Sequence, residues 1–140
     1  MADRVLVPVD GSQQAEQSID YAVELYPDAT IVLVHVLNPV DGTAHPDSLI
    51  TYTEEAMEAQ RERAESIFED AEETAGADRT IETEILAGNP SREIVEYAEE
   101  HEIDAIVMGS RGRDGAARIL LGSVAETVVR RSAVPVTVVR

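Results

Sequence analysis

Five short apolar runs alternate along the chain with four stretches that carry apolar residues at helical spacing, and this alternation leaves few folds open. Val5–Val9 (VLVPV), Ile31–Leu37 (IVLVHVL) and Ile103–Met108 (IDAIVM) are rich in β-branched residues and nearly continuous, the pattern of strands buried on both faces of a parallel sheet. Thr80–Leu86 (TIETEIL) alternates residue by residue, which predicts a half-exposed strand at a sheet edge. Val134–Val139 (VPVTVV) supplies the fifth strand. Its Pro135 has no N–H to give a ladder, so it belongs at an edge or a strand start.

The intervening stretches read as helices. Ser12 is placed to cap one that carries Ala15, Ile19, Ala22, Val23 and Leu25 on a single stripe, with Pro27 just past its end. Leu49 to Ala75 reads as a long acidic helix: Thr51 and Glu54 have capping-box spacing, Met57, Ala64, Ile67, Phe68, Ala71 and Ala75 form the buried stripe, and Gly76 ends it. Asn89 followed by Pro90 opens a third helix through Ile94, Val95 and Ala98. Ser123 to Arg131 is the fourth, with Ser123 and Glu126 again spaced as a capping box.

Strands alternating with helices predict an α/β fold: an open, mostly parallel five-stranded sheet with right-handed crossovers and helices on both faces. The Rossmann-like, flavodoxin-like order 3-2-1-4-5 is expected, with the first and fourth strands as neighbours. No linker divides the chain, so residues 1–140 are expected to form one domain. Residues 38–48 (NPVDGTAHPDS) are the one long irregular stretch and read as a surface loop.

Charge narrows the partners. There are 28 acidic residues against 11 arginines and no lysine, a formal net charge of -17. Residues 1–40 carry a net -5, residues 41–100 carry -14 and residues 101–140 carry +2. So acidic a surface argues against nucleic acid, which is bound mainly by neutralising phosphates with lysine and arginine. It fits a salt-rich cytosol, where screening relaxes self-repulsion. With no cysteine, disulfides, thiolate metal sites and a nucleophilic thiol are excluded. No signal-peptide pattern and no run of about 18 apolar residues is present, so a cytoplasmic protein without a membrane partner is expected.

The local reversal of sign coincides with GSRGRDGAARILLGSVAE, residues 109–126, which holds four of the eight glycines. Glycines let backbone N–H groups approach a ligand, and successive N–H groups form anion-binding nests. The helix opening at Ser123 offers the N–H groups of Val124 and Ala125 with the positive end of its dipole, and Arg111, Arg113 and Arg118 add fixed charge. Glu126 opposes an anion there unless it folds back onto Ser123. In an open α/β sheet ligands bind beyond the carboxyl ends of the strands where their order reverses, and Asp10–Gly11–Ser12 after the first strand would line the same crevice. A Walker-type site is excluded because the chain has no lysine, and GSRGRDG is not G-x-G-x-x-G. Glycines that simply turn the chain out of a strand remain the alternative reading.

The spacing G-x2-G-x9-G-S, written by Gly109, Gly112, Gly122 and Ser123, resembles the ATP-binding signature of the universal stress protein A family. The resemblance spans the chain through VLVPVDGS, VLVHV, GNPSREIVEYAEE, DAIVMGSRG and LLGSVAETVVRRSAVPVTVV. It implies ATP as the cofactor, with Mg2+ or Mn2+ as the ion accompanying its phosphates. By that resemblance Asp10 meets the ribose or adenine, Pro8 and Val9 line the base, and Val36 and Met108 complete the apolar contacts to adenine. Gly109, Gly112, Gly122, Ser123 and Val124 match the ribose and phosphate contacts. Arg111 takes a variable motif position and is assigned to phosphate by its charge. The family also pairs fifth strands across a two-fold axis, which implies a homodimer through the edge bearing Val136 and Val138.

Catalysis needs a placed base, nucleophile or metal, and that inventory is thin. His35, His45 and His101 are widely separated, and no catalytic residue or metal-ligand set is assigned. His35 reads as a hydrogen-bonded core residue and His101 as a helix-end cap. Ser12 and Ser110 have no evident base. An ATP-binding stress-response module is therefore expected. The alternatives are a slow ATPase or autophosphorylating enzyme built on Asp10 and a metal, and a dimeric scaffold without nucleotide.

Overall fold

The computed structural model describes residues 3–37, 54–110 and 121–140. The elements run β1 (Arg4–Pro8), α1 (Gln13–Leu25), β2 (Thr30–Leu37), α2 (Glu54–Ala75), β3 (Ile81–Ala87), α3 (Pro90–Glu100), β4 (Ala105–Gly109), α4 (Ser123–Arg131) and β5 (Val136–Val139). They form one five-stranded sheet in the order β3-β2-β1-β4-β5, every pairing parallel, as the alternation predicts. Strand bounds shift by a residue or two from the apolar runs. At β5 the cause is Pro135, whose carbonyl accepts Ile106 N–H at 2.9 Å while the ladder proper begins at Val136.

Two apolar layers sandwich the sheet. On one face Val5, Val7, Ile31, Leu33 and Val107 pack under α1 and α2; on the other Leu6, Val32, Val34, Ile106 and Met108 pack under α3 and α4. Every one of these strand side chains is buried, and each contributes roughly 1.5–3 kcal/mol of transfer free energy.

Local signals account for the helix ends. Ser12 Oγ accepts Ala15 N–H at 3.1 Å, and Asn89 Oδ1 accepts Arg92 N–H at 3.2 Å with Pro90 at the first helical position. Gly76 adopts φ 97°, the left-handed residue that stops α2. His101 closes α3, its N–H donating to Tyr97 C=O at 3.0 Å and its ring stacked 3.9 Å from that of Tyr97. Thr51, the expected partner of Glu54, lies outside the described residues, as does the loop at 38–48.

Two expectations are corrected, and one buried residue joins the α1 stripe unannounced by the sequence pattern. Met57 is 46% exposed, because the first turns of α2 stand clear of the described core and burial begins at Ala64. Leu25 is 48% exposed, and Tyr26 just beyond it packs on the core instead. Ser18 takes a fully buried place on the α1 stripe; its Oγ donates to Gln14 C=O at 2.9 Å, so no polar atom is stranded.

The exposed last turn of α2 carries Glu72 and Glu73 and no base. Glu73→Arg is expected to raise stability by about 0.3–1 kcal/mol in urea titrations at low salt. It places a cation at the negative helix end and four residues after Glu69.

At the amino end of the sheet, Asp104 Oδ2 accepts Asp3 N–H at 2.8 Å and Arg4 N–H at 3.0 Å, tying the start of β1 to that of β4. These two donors hold the carboxyl below the usual carboxylate range. A depressed carboxyl adds stability above its unfolded value near pH 4 and loses it as pH falls through the folded value. Asp104→Asn should cost about 0.5–1 kcal/mol at pH 7, since the site is open to solvent. The gap to wild type closes as pH falls through the lowered folded value, as measured by denaturant midpoints across pH.

Candidate functional site: the crevice between β1 and β4

β1 and β4 are neighbours, yet the helices that follow them lie on opposite faces: α1 on one, α4 on the other. The sheet therefore reverses its winding between these strands, and their carboxyl ends leave a crevice. Pro8 widens it. Asp104 N–H donates to Arg4 C=O at 2.9 Å, so the even-numbered residues of β1 turn their backbone groups toward β4. Pro8 falls on that side without an N–H, so its missing donor ends the β1–β4 ladder at the mouth of the crevice.

The first wall is the turn after β1. Val9 N–H donates to Val34 C=O at 2.8 Å, and Asp10 Oδ1 accepts Ser12 N–H at 2.9 Å. Gly11 between them sits at φ 83°, and a Cβ there would meet Ile67 of α2 at 3.4 Å. Only glycine takes this conformation without strain.

The second wall is the junction of β4 and α4. Buried Ser110 is pinned by its backbone: its N–H donates to Val139 C=O at 2.8 Å, and its C=O accepts Gly122 N–H at 2.6 Å. Gly122 (φ -66°, ψ 162°) is the N-cap of α4, and its C=O accepts Glu126 N–H at 2.9 Å. The N–H groups of Ser123, Val124 and Ala125 precede that first helical bond and have no intrahelical acceptor.

The expected Ser123/Glu126 capping box does not form. Ser123 is already the first helical residue, and Gly122 caps through its backbone alone. Glu126 turns down the helix and pairs with Arg130 at 2.6 Å. The carboxylate that opposed an anion at this terminus is thus held by a guanidinium one turn away.

The expected site residues divide by face. Pro8, Val36, Met108 and Val124 share the α3/α4 side: Met108 is buried, and the other three are half-buried at the ends of their elements. The side chain of Val9 points the other way, into the α1/α2 core, so only its backbone borders the crevice. Asp10, half-buried, belongs to the first wall, and Gly109, half-buried, and Ser123, exposed, belong to the second. Arg111, Gly112, Arg113 and Arg118 lie outside the described residues. His35 is half-buried at the end of β2, and its Nδ1 lies 2.8 Å from Val9 C=O. Sequence reasoning placed it in the core and missed its contact with the turn, because the pair is 26 residues apart and no local pattern reports it. Among the described residues no three histidine or carboxylate side chains converge as a metal site.

A doubly wound sheet, with a helix N-terminus and an aspartate-bearing turn facing each other across the switch point, defines a class of α/β ligand-binding domains. Within that class the chain belongs to the universal stress protein family, whose sequence model matches residues 1–140. It is 36% identical to the universal stress protein MJ0531 of Methanocaldococcus jannaschii, over 98% of this chain and 81% of that protein. The fold superposes on the universal stress protein UspA of Lactobacillus plantarum with a TM-score of 0.83 at 29% identity, covering 99% and 97% of the two chains. It superposes on a universal stress protein solved in complex with cAMP with a TM-score of 0.68 at 25% identity, covering 99% and 97%.

Proposed function

We propose that this protein binds ATP in the β1/β4 crevice and acts as a nucleotide-dependent stress-response module. The observation that carries the reading is the terminus of α4. Three backbone N–H groups without intrahelical acceptors open beside an apolar wall of Pro8, Val36, Met108 and Val124. That pairing suits a ligand with a flat apolar base and an anionic tail. A family neighbour solved with cAMP supports an adenine nucleotide. In this reading Pro8, the Val9 backbone, Val36 and Met108 surround adenine and Asp10 takes the ribose. Gly109, Gly112, Gly122, Ser123 and Val124 hold the ribose and phosphates, with Arg111 on phosphate.

Asp10 already spends one oxygen on Ser12 N–H, which favours holding a ligand over activating water. A Mg2+ or Mn2+ ion arriving with ATP would rest chiefly on phosphate oxygens, since the described residues offer no built cage. The protein would work in the cytoplasm as a homodimer joined along β5, where Val136 and Val138 are half-buried on an edge strand and Val129 of α4 is 46% exposed.

The test is to purify the protein in high salt without added nucleotide, denature it, and identify what is released by mass spectrometry. Near-stoichiometric ATP supports a tight, slow-turnover binder. ADP instead supports hydrolysis. Release of nothing, with no binding of titrated ATP, ADP or AMP, removes the nucleotide reading and leaves the scaffold.

The net charge of -17 carries a further expectation. At 1 M KCl the screening length falls to about 3 Å from about 10 Å at 0.1 M, relieving repulsion along α2 and its surroundings. The melting temperature should rise with KCl, by about 2–4 °C for each kcal/mol relieved. A flat salt dependence in differential scanning calorimetry would remove the inference of a salt-rich habitat.

A further inference from the structure

The β1–α1 turn would have to keep one geometry to serve a ligand, and a single side chain outside it is placed to enforce that geometry. Val9 is tied to β2 through both of its backbone groups. Its N–H donates to Val34 C=O at 2.8 Å, and its C=O lies 2.8 Å from His35 Nδ1. A carbonyl only accepts, so Nδ1 carries the proton and donates, in the neutral and the protonated ring alike. The Val9–Asp10 peptide is trans. With Val9 C=O held toward β2, planarity turns Asp10 N–H the opposite way, toward β4 and the crevice. Asp10 Oδ1 is fixed in turn by Ser12 N–H, and Ser12 Oγ caps α1.

We infer that His35 is the positioning residue of this turn: its Nδ1–H···O=C bond to Val9 aims the Asp10 backbone and carboxylate into the β1/β4 crevice. The ligand side of the inference rests on the nucleotide reading above; the geometry rests on the turn alone. His35 touches no ligand in this account. Without its donor, the Val9–Asp10 peptide is free to rotate and the Asx turn through Ser12 loosens.

The two substitutions to compare are His35→Phe, which keeps a ring without the donor, and His35→Asn, whose amide nitrogen stands about as far from Cα as Nδ1 does. Amide exchange at Ser12 is read in the nucleotide-free protein, and ATP affinity is read by calorimetry. His35→Phe should speed Ser12 exchange about tenfold and weaken ATP about tenfold, while His35→Asn stays within about threefold of wild type in both. In an Asp10→Ala background His35→Phe should change ATP affinity by less than about twofold, because the residue acts through Asp10.

The inference is overturned if His35→Phe leaves Ser12 exchange unchanged, or weakens ATP equally with and without Asp10. It is also overturned if 15N spectra of the wild type show the proton on Nε2 and not Nδ1 in the neutral ring, a readout that needs no variant to fold. Wild type failing to bind any adenine nucleotide would sink the functional reading alone. Ser12 exchange would still decide whether His35 sets the turn.

Discussion

Replacing Ser123 with proline is expected to weaken ATP binding by roughly 10- to 100-fold while leaving the fold intact. The loss corresponds to one hydrogen bond to a charged acceptor, about 1.5–3 kcal/mol. The substitution is unusually clean at this position. Ser123 is the first helical residue, where proline is favoured because the missing N–H makes no helical bond. Gly122 before it already sits at φ -66° and ψ 162°, the extended region that a residue preceding proline must occupy. The anchor from Gly122 N–H to Ser110 C=O and the first helical bond from Glu126 N–H to Gly122 C=O are both untouched. Ser123→Ala separates the contributions, since it removes the hydroxyl and keeps the N–H. If backbone donors hold the phosphates, the alanine variant binds within a few-fold of wild type and the proline variant does not. Equal affinities for the proline variant and wild type, with unchanged thermal melts, would show that the terminus of α4 takes no part in binding.

The same terminus shows where sequence reasoning stops. S-x-x-E spacing fits a serine at the N-cap equally as well as a serine one position inside the helix. What decides between them is the carbonyl that receives Glu126 N–H, and in the fold it belongs to Gly122. Elements whose signals are local were legible: Ser12, Asn89 with Pro90, and Gly76 end their helices as their chemistry predicts. The strand order was legible because β-branched continuity marks the central strands and alternation marks β3 as an edge. Positions that depend on where a neighbouring element ends were not legible. Met57 and Leu25 keep helical period with their stripes but reach beyond what they would pack against. The hold of His35 on Val9 is a tertiary contact across a strand-helix-strand unit and leaves no trace in spacing. Pro8 was read as part of an apolar run and, by the family resemblance, as a contact to the base. Its missing donor acquires meaning only once β4 is known to lie on that side.

Leu6→Ala is the substitution expected to cost the most stability, about 2–5 kcal/mol. Leu6 lies in the middle of β1, the central strand, fully buried in the layer beneath α3 and α4. The truncation removes three carbons from a site walled by sheet and helices, so the surroundings collapse only partly and a cavity remains. Against a typical total of about 5–15 kcal/mol this is a large share, and a fall in melting temperature of roughly 5–20 °C should follow. Leu33, equally buried beneath α1 and α2, provides the comparison on the opposite face of the sheet. Leu33→Ala should cost a similar amount, and the double variant should lose nearly the sum, because the two cavities lie in separate apolar layers. Ligand affinity should tell them apart. Leu6 points the same way as Pro8 two residues on and packs in the layer that contains Met108 and Val36, so its cavity loosens the proposed adenine wall. Urea titrations with and without ATP measure both effects. If ATP stabilises Leu6→Ala as much as it stabilises wild type, the adenine wall does not depend on the layer beneath it.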